Sequence, residues 1–285
     1  MKFCRFQPLE FPVQRLAAHG DREIHPRPRT GIVENGEIAE LTVNLSEILG
    51  ALASDSSGKP SSFSFTGNKW PVAEIQFLPP VEPSKIVCVG RNYRDHAKEL
   101  GNEVPKEPLI FFKPPSAIIA PEEPIVLPAI SERVDFEGEL AVIIGRRCRS
   151  LAPVDDALSY VAGYTCLNDV TARDLQKRDG QWTRGKGCDT FCPFGPVLQT
   201  SIDLANTKVE TFVNGISKQS ACTSEMIFPV DVIIRFVAQV MTLEPGDVIA
   251  TGTPPGVGPL APGDVVDVSV GGIGTLRNTV VGPES

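Results

Sequence analysis

Asp135-Phe136-Glu137-Gly138-Glu139 runs directly into the apolar segment Leu140-Ala141-Val142-Ile143-Ile144. On an extended chain, residues two apart share a face, so Glu137 and Glu139 are aimed together, with Asp135 in line. Like charges on one face cost energy unless a cation or a proton joins them. Oxygen donors of this kind suit a hard divalent cation; a solvated acidic strand end is the alternative. A second group, Asn168-Asp169-Val170-Thr171-Ala172-Arg173-Asp174-Leu175-Gln176, follows an apolar run and opens a helical one. Asp169 then sits at a strand-to-helix transition, a place where sites are often built. Arg173 and Gln176 share its face if the helix reaches back that far. Capping by Asn168 or Asp169, with Arg173 as a surface partner, is the other reading.

The third group lies in Cys88-Val89-Gly90-Arg91-Asn92-Tyr93-Arg94-Asp95-His96-Ala97-Lys98-Glu99. His96 and Glu99 are neighbours on a helical turn, and a carboxylate beside an imidazole orients it and raises its basicity, as a general base requires. A surface ion pair of little worth is the alternative. Two Gly-rich turns, Gln181 to Gly187 with Arg184 and Lys186, and Thr251 to Gly258, suit an anionic group, or are plain surface turns. No P-loop, dinucleotide fingerprint or nucleophile elbow is present.

These groups need strands to hold them, and strand signals dominate from Lys85 onward: Lys85–Val89, Leu109–Phe112, Leu140–Ile144, Val161–Leu167, Val209–Val213, Asp247–Thr251 and Val265–Val270. Helices are expected over Tyr93–Leu100, Thr171–Arg178 and Val230–Met241, the last opened by Pro229. Asn35-Gly36 and Asn214-Gly215 mark hairpin turns. A short helix over Asn44–Leu52, capped by Asn44, and a polar linker over Ser54–Lys69 complete a small β-rich N-terminal unit. With 26 prolines and 25 glycines among short strands, an α+β, mostly β fold is expected rather than a doubly wound sheet. The boundary falls near residue 80, giving an N-terminal domain over 1–79 and a main domain over 80–285.

Composition narrows the chemistry. The chain has 285 residues, 27 Lys+Arg against 35 Asp+Glu, and a formal charge of −8, which argues against nucleic acid as a partner. Three histidines, at 19, 25 and 96, exclude a site built on several imidazoles. Seven cysteines, several inside apolar runs, read as buried free thiols of a reducing compartment; only Cys188 and Cys192 approach a metal spacing, without a second pair. No apolar stretch approaches a membrane span, and the N-terminus lacks a signal-peptide core, so a cytoplasmic protein without membrane partners is expected.

Together and in this order, Val89 to Tyr93 with His96 and Glu99, Glu137 to Leu140, Asn168 to Asp174, Trp182 to Lys186, Thr223 to Phe228, and Gly246 to Ile249 with Thr251 to Pro254 resemble the fumarylacetoacetate hydrolase family over residues near 80 to 280. The resemblance implies a mixed β-roll catalytic domain, a homodimer, and Mg²⁺ or Mn²⁺ held by Glu137, Glu139 and Asp169, with Ca²⁺ as a crystallisation substitute. It implies His96 and Glu99 as the water-activating pair and Lys186 as the group supporting an enolate. Substrate contacts are implied for Arg91, Asn92, Tyr93, Arg173, Gln176, Gly252 and Thr253. The implied reaction cleaves the C3–C4 bond of a small 2,4-dioxo acid of the acylpyruvate or fumarylpyruvate type. Oxaloacetate decarboxylation or tautomerisation, or isomerisation of an unsaturated dioic acid, would use the same enolate chemistry. A metal-stabilised interaction domain would be expected to lose Lys186, His96 or a carboxylate, and none is lost.

Overall fold

The computed structural model describes residues 1–9, 27–54, 63–99, 101 and 103–283. His19 and His25 lie outside them. Ten strands form a continuous sheet in the order Phe65–Pro71, Glu37–Leu41, Arg29–Glu34, Lys2–Pro8, Cys192–Gln199, Val161–Asn168, Gly138–Ile144, Val248–Ala250, Ile86–Gly90 and Leu109–Lys113, with Ile75–Leu78 and Ile118–Ile119 paired alongside. The sheet crosses the expected domain boundary, because Lys2–Pro8, paired within the N-terminal unit to Ile75–Leu78, also pairs through Lys2 and Phe3 with Cys192–Gln199. A second sheet contains Ile216–Cys222, Lys208–Val213, Val265–Val270, Gly274–Val281 and Ile125–Val126. The mostly β architecture is thus the one expected.

The strand Gly138–Ile144 is buried at every position. Leu140, Val142 and Ile144 pack into one core, against Val209, Val266 and Val268 of the second sheet and Ile234 and Val237 of the helix Val230–Val240. Ala141 and Ile143 point the other way, into a core with Ile48, Leu198 and Val248. Apolar on both faces, the strand reads as a continuous hydrophobic run rather than an alternation. Its N-terminal end is where the carboxylates emerge.

Local expectations hold in most places. Asn35 and Gly36 take φ of 50° and 81° between Glu34 and Glu37, as a tight hairpin needs. The helix Leu45–Ser54 is closed by a reciprocal capping pair: Glu47 N–H donates to Asn44 Oδ1 (3.1 Å) and Asn44 N–H to Glu47 Oε2 (2.7 Å). The polar linker needs correction. Residues 55–62 of it lie outside the described residues, but Phe65–Pro71 is a strand on the sheet's edge, secured by Trp70, whose ring lies near Phe6 and whose Nε1 donates to Glu40 (2.9 Å). Among the described residues, no helix is long and apolar enough to cross a membrane.

Candidate active site

The three carboxylates are locked together through the backbone. Gly138 pairs with Asn168 across adjacent antiparallel strands, Glu137 N–H donates to Asn168 Oδ1 (2.9 Å), and Asp169 N–H donates to Glu137 O (2.8 Å). Glu139 is held from the other side by the Gly252 N–H, 2.7 Å from its Oε2. Gly252 has φ of 101°, and a Cβ there would stand 2.7 Å from Asn92 Cβ, so only glycine brings this amide so close. All three carboxylates are buried, and each presents an oxygen within 4.8 Å of the others.

Buried cations meet these acids. Lys186, at the end of the one-turn helix Thr183–Lys186, donates to Glu137 Oε2 (2.8 Å) and Asp169 Oδ2 (2.5 Å). Lys113 donates to Asp169 Oδ1 (2.6 Å). Arg173 spans Asp135 Oδ2 (2.9 Å), Glu137 Oε1 (2.5 Å) and Gln176 Oε1 (2.7 Å). Burial works against the Lys186 charge, but Asp169 and Glu137 outweigh it and hold the ammonium above its usual range. Burial opposes the Glu137 charge likewise, and Lys186 and Arg173 reverse the balance, so Glu137 stays ionised below the normal carboxylate range. Glu139 has no such partner: burial, then Asp169, then Glu137 push it well above that range.

His96 lies on the short helix Arg94–Glu99, almost enclosed at 4% exposure. Its Nδ1 is 3.4 Å from Glu99 Oε2, and the Glu99 carboxylate in turn accepts the Gly256 N–H (3.1 Å), tying helix to glycine-rich turn. Burial lowers the His96 pKa, against the opposing pull of Glu137 and Glu99, and leaves the imidazole neutral and able to accept a proton near neutral pH.

These groups line one cavity of about 580 Å³, with Glu137, Glu139, Asp169, Lys186, His96 and Glu99 on its wall. Of the residues expected to meet substrate, Arg91, Arg173, Gln176 and Thr253 also line it. Asn92 is used differently: it bridges Thr251 O (2.7 Å), Phe228 O (3.0 Å) and Phe228 N–H (2.8 Å). The Tyr93 hydroxyl is buried without a hydrogen-bond partner among the described residues, Gly252 acts through its amide on Glu139, and none of these three lines the cavity. The helix after Asp169 does not reach back to it; Thr171–Ala172 is a short strand, and Arg173–Asp179 starts after Ala172 with no side-chain cap. Arg173 meets the acids because it heads that helix, not because it shares a helical face with Asp169.

Sequence reasoning missed Lys113, Phe111 and Gln219. Lys113 ends the strand Leu109–Lys113, two residues from the cavity-lining Phe111, and a lysine in register with an inward aromatic was the available signal. Phe111 and Trp182 form an edge-to-face wall at 5.0 Å. Gln219, buried in the second sheet, accepts the Gly138 N–H (3.0 Å) and donates to Thr253 Oγ1 (2.8 Å) and Pro254 O (2.7 Å); no local pattern marks it.

The donor set fits a hard divalent cation. It is all oxygen, it is buried, and four buried acids (Asp135, Glu137, Glu139, Asp169) face three buried cations (Lys113, Arg173, Lys186), leaving Glu139 without a salt bridge. Asp169, Glu137 and Glu139 would hold the ion.

The fumarylacetoacetate (FAA) hydrolase C-terminal family matches residues 85–281. The chain is 40% identical to 2-hydroxyhepta-2,4-diene-1,7-dioate isomerase from Mycobacterium marinum, with a TM-score of 0.82 and complete coverage of both chains. It is 39% identical to a fumarylacetoacetate hydrolase from Exiguobacterium antarcticum, with a TM-score of 0.79 over 99% of each chain. It is 47% identical over 224 residues to the mitochondrial oxaloacetate tautomerase FAHD2A of Bos taurus, covering 74% of this chain and 71% of that one. Fold, site and likeness agree, and the chain belongs to the fumarylacetoacetate hydrolase family.

Proposed function

We propose that the chain is a divalent-metal-dependent hydrolase that cleaves the C3–C4 bond of a small 2,4-dioxo acid to pyruvate and a carboxylic acid. The observation that carries the reading is an imidazole kept neutral by burial and oriented by Glu99, opening onto the same cavity as the carboxylates and Lys186. A bound Mg²⁺ or Mn²⁺ would supply Lewis-acid polarisation of the 2-oxo acid and favour its enolate. The protein's own groups do the rest. His96 takes a proton from water as its oxygen adds to C4. The C3–C4 bond then breaks, its electron pair passes to C3 as the pyruvate enolate, and a proton returns to that carbon. Lys186, fixed beside Glu137 and Asp169, offsets the negative charge that develops. Phe111 and Trp182 wall off part of the cavity, suited to an acyl group.

A second reading rests on the bovine relative: without attack by water, the same enolate chemistry interconverts keto and enol oxaloacetate. Pyruvate release from acetylpyruvate and from oxaloacetate, with Mg²⁺ and with chelator, separates the two. Metal-dependent release from acetylpyruvate, lost in His96→Ala, supports hydrolysis. Enol oxaloacetate consumption without pyruvate release overturns hydrolysis in favour of tautomerisation. A homodimer is part of the proposal, consistent with the exposed Leu109 and Phe112 on the sheet's outermost strand, and light scattering tests it.

A further inference from the structure

Asp169 carries an ammonium on each of its oxygens, one from a lysine that lines the cavity and one from a lysine that does not. Lys186 holds Oδ2 and lines the cavity. Lys113 holds Oδ1 at 2.6 Å, also donates to Val170 O at 3.0 Å, and lies outside the cavity wall, 1% exposed, with its Nζ 5.9 Å from the centre of the Phe191 ring. Enclosing an ammonium costs solvation that only a specific partner returns, so lysines are rarely buried this completely. Asp169 does not need a second cation for its backbone, which is already bonded to Glu137 and Thr171. What Lys113 adds is a fixed point on one carboxylate oxygen, on the side of Asp169 away from the cavity.

We propose that Lys113 is a positioning residue for Asp169: it pins Oδ1 from behind, so that Oδ2 stays turned to the cavity for a divalent cation whether or not Lys186 is engaged with substrate charge. The inference rests on the metal-dependent reading above. Strand geometry explains how it is delivered. Phe111 and Lys113 are two apart on Leu109–Lys113 and share a face; Phe111 meets the Lys186 ammonium (4.9 Å) and Lys113 meets Asp169, so one strand supports both halves of the arrangement.

Mn²⁺ titration of the metal-free protein, by calorimetry or electron paramagnetic resonance, tests this without turnover. Removing a positive charge near the ion would by itself tighten Mn²⁺ binding, whereas loss of positioning weakens it, so the sign of the change is diagnostic. Lys113→Met is expected to weaken Mn²⁺ binding about 10- to 100-fold, the usual effect of losing a partner that orients a ligand. Lys186→Met removes the cavity-side cation and is expected to bind Mn²⁺ as tightly as wild type or more so. Lys113→Arg keeps the charge but moves it, and is expected to weaken binding less than the Met variant while remaining measurably below wild type; it takes the place of the Met variant if that one does not fold. A folded Lys113 variant with wild-type or tighter Mn²⁺ binding overturns the proposal, as does failure of both variants to fold, which would assign Lys113 to stability alone. A wild-type chain without saturable Mn²⁺ binding would instead overturn the metal reading on which the proposal rests.

Discussion

Gly138 stands between two carboxylates, and its lack of a side chain is a steric requirement that substitution can measure. A Cβ built there would lie 2.0 Å from Thr211 Oγ1, and 3.2 and 3.3 Å from the two Val268 methyls. The Val268 contacts are tight but tolerable; the Thr211 contact is not, and either the Thr211 hydroxyl must turn away or the strands must part. Overpacking of that kind costs about 1–3 kcal/mol. The smaller unfolded-state entropy of alanine returns about 0.4–1 kcal/mol, leaving a net loss of about 1–2 kcal/mol for Gly138→Ala. The functional loss should be larger than the stability loss, because a misplacement of about 1 Å costs on the order of 10²-fold in rate when geometry is what catalyses. Thr211→Ala removes the clashing oxygen, and that hydroxyl is buried without a hydrogen-bond partner, so deleting it breaks no bond. The double variant should therefore recover most of the metal affinity and turnover that Gly138→Ala loses, with a coupling of about 1–3 kcal/mol in thermal or urea unfolding. A Gly138→Ala protein with wild-type Mn²⁺ affinity and stability would refute the reasoning, and so would a double variant no better than the single one.

Other perturbations follow from charges in the cavity. Burial holds His96 below its ordinary value of 6.5, and the proposed hydrolysis needs the neutral imidazole, so kcat/KM should fall on the acid side through a pKa under 6.5. Glu99 opposes that lowering, so Glu99→Gln should move the acid limb further down in pH; a limb that stays put would remove Glu99 from the pair. In the fold the same lowering means fewer protons are bound below pH 6.5 than in the unfolded chain, so acid destabilises wild type more than His96→Gln, as urea midpoints against pH would show. Glu139→Gln replaces a buried carboxyl whose ionisation is disfavoured by burial, Asp169 and Glu137 with a permanently neutral amide, and should raise the Tm of the metal-free protein while abolishing its response to Mn²⁺. In wild type, Mn²⁺ at about 100 times its Kd should add about 2.7 kcal/mol of stability; a Glu139→Gln protein with the full Mn²⁺ shift would remove Glu139 from the ligand set.

The site was legible where its signals are local. Glu137 and Glu139 are set by strand alternation, His96 and Glu99 by helical spacing, and the Asn-Gly hairpins by backbone conformation that few residues adopt. Strands were legible where apolar runs are unbroken, as in Leu140–Ile144. Cys192–Gln199 was not, because Pro193, Gly195 and Pro196 interrupt it, although it is a central strand flanked on both sides. Lys2–Pro8 carries charges that its neighbours absorb only after folding: Arg5 pairs with Glu82 and donates to Pro79 O. The contacts of Gln219 and Lys113 depend on partners 81 and 56 residues away, at Gly138 and Asp169, and no short-range pattern encodes such distances.

The pairing of Lys2–Pro8 with Cys192–Gln199 also orders events during folding. Lys2 lies opposite Gln199, and Met1 donates through its ammonium to Thr200, a separation of 199 residues. The hairpin Arg29–Leu41, closed by Asn35-Gly36, can dock on Lys2–Pro8 as soon as it is made, and Phe65–Pro71 and Ile75–Leu78 follow soon after, but the strand that ties Lys2–Pro8 to the main sheet, Cys192–Gln199, arrives more than 150 residues later. Closing so long a loop is entropically costly and slow compared with local pairing. On the ribosome, the N-terminal strands can therefore assemble among themselves, but the Lys2–Phe3 end of the first strand must wait, unpaired on that side, until the strand that follows Lys186 and its helix has emerged. Chaperone dependence during synthesis should concentrate in that interval, and refolding should be rate-limited by the joining of the first strand to the sheet rather than by assembly of the carboxylates.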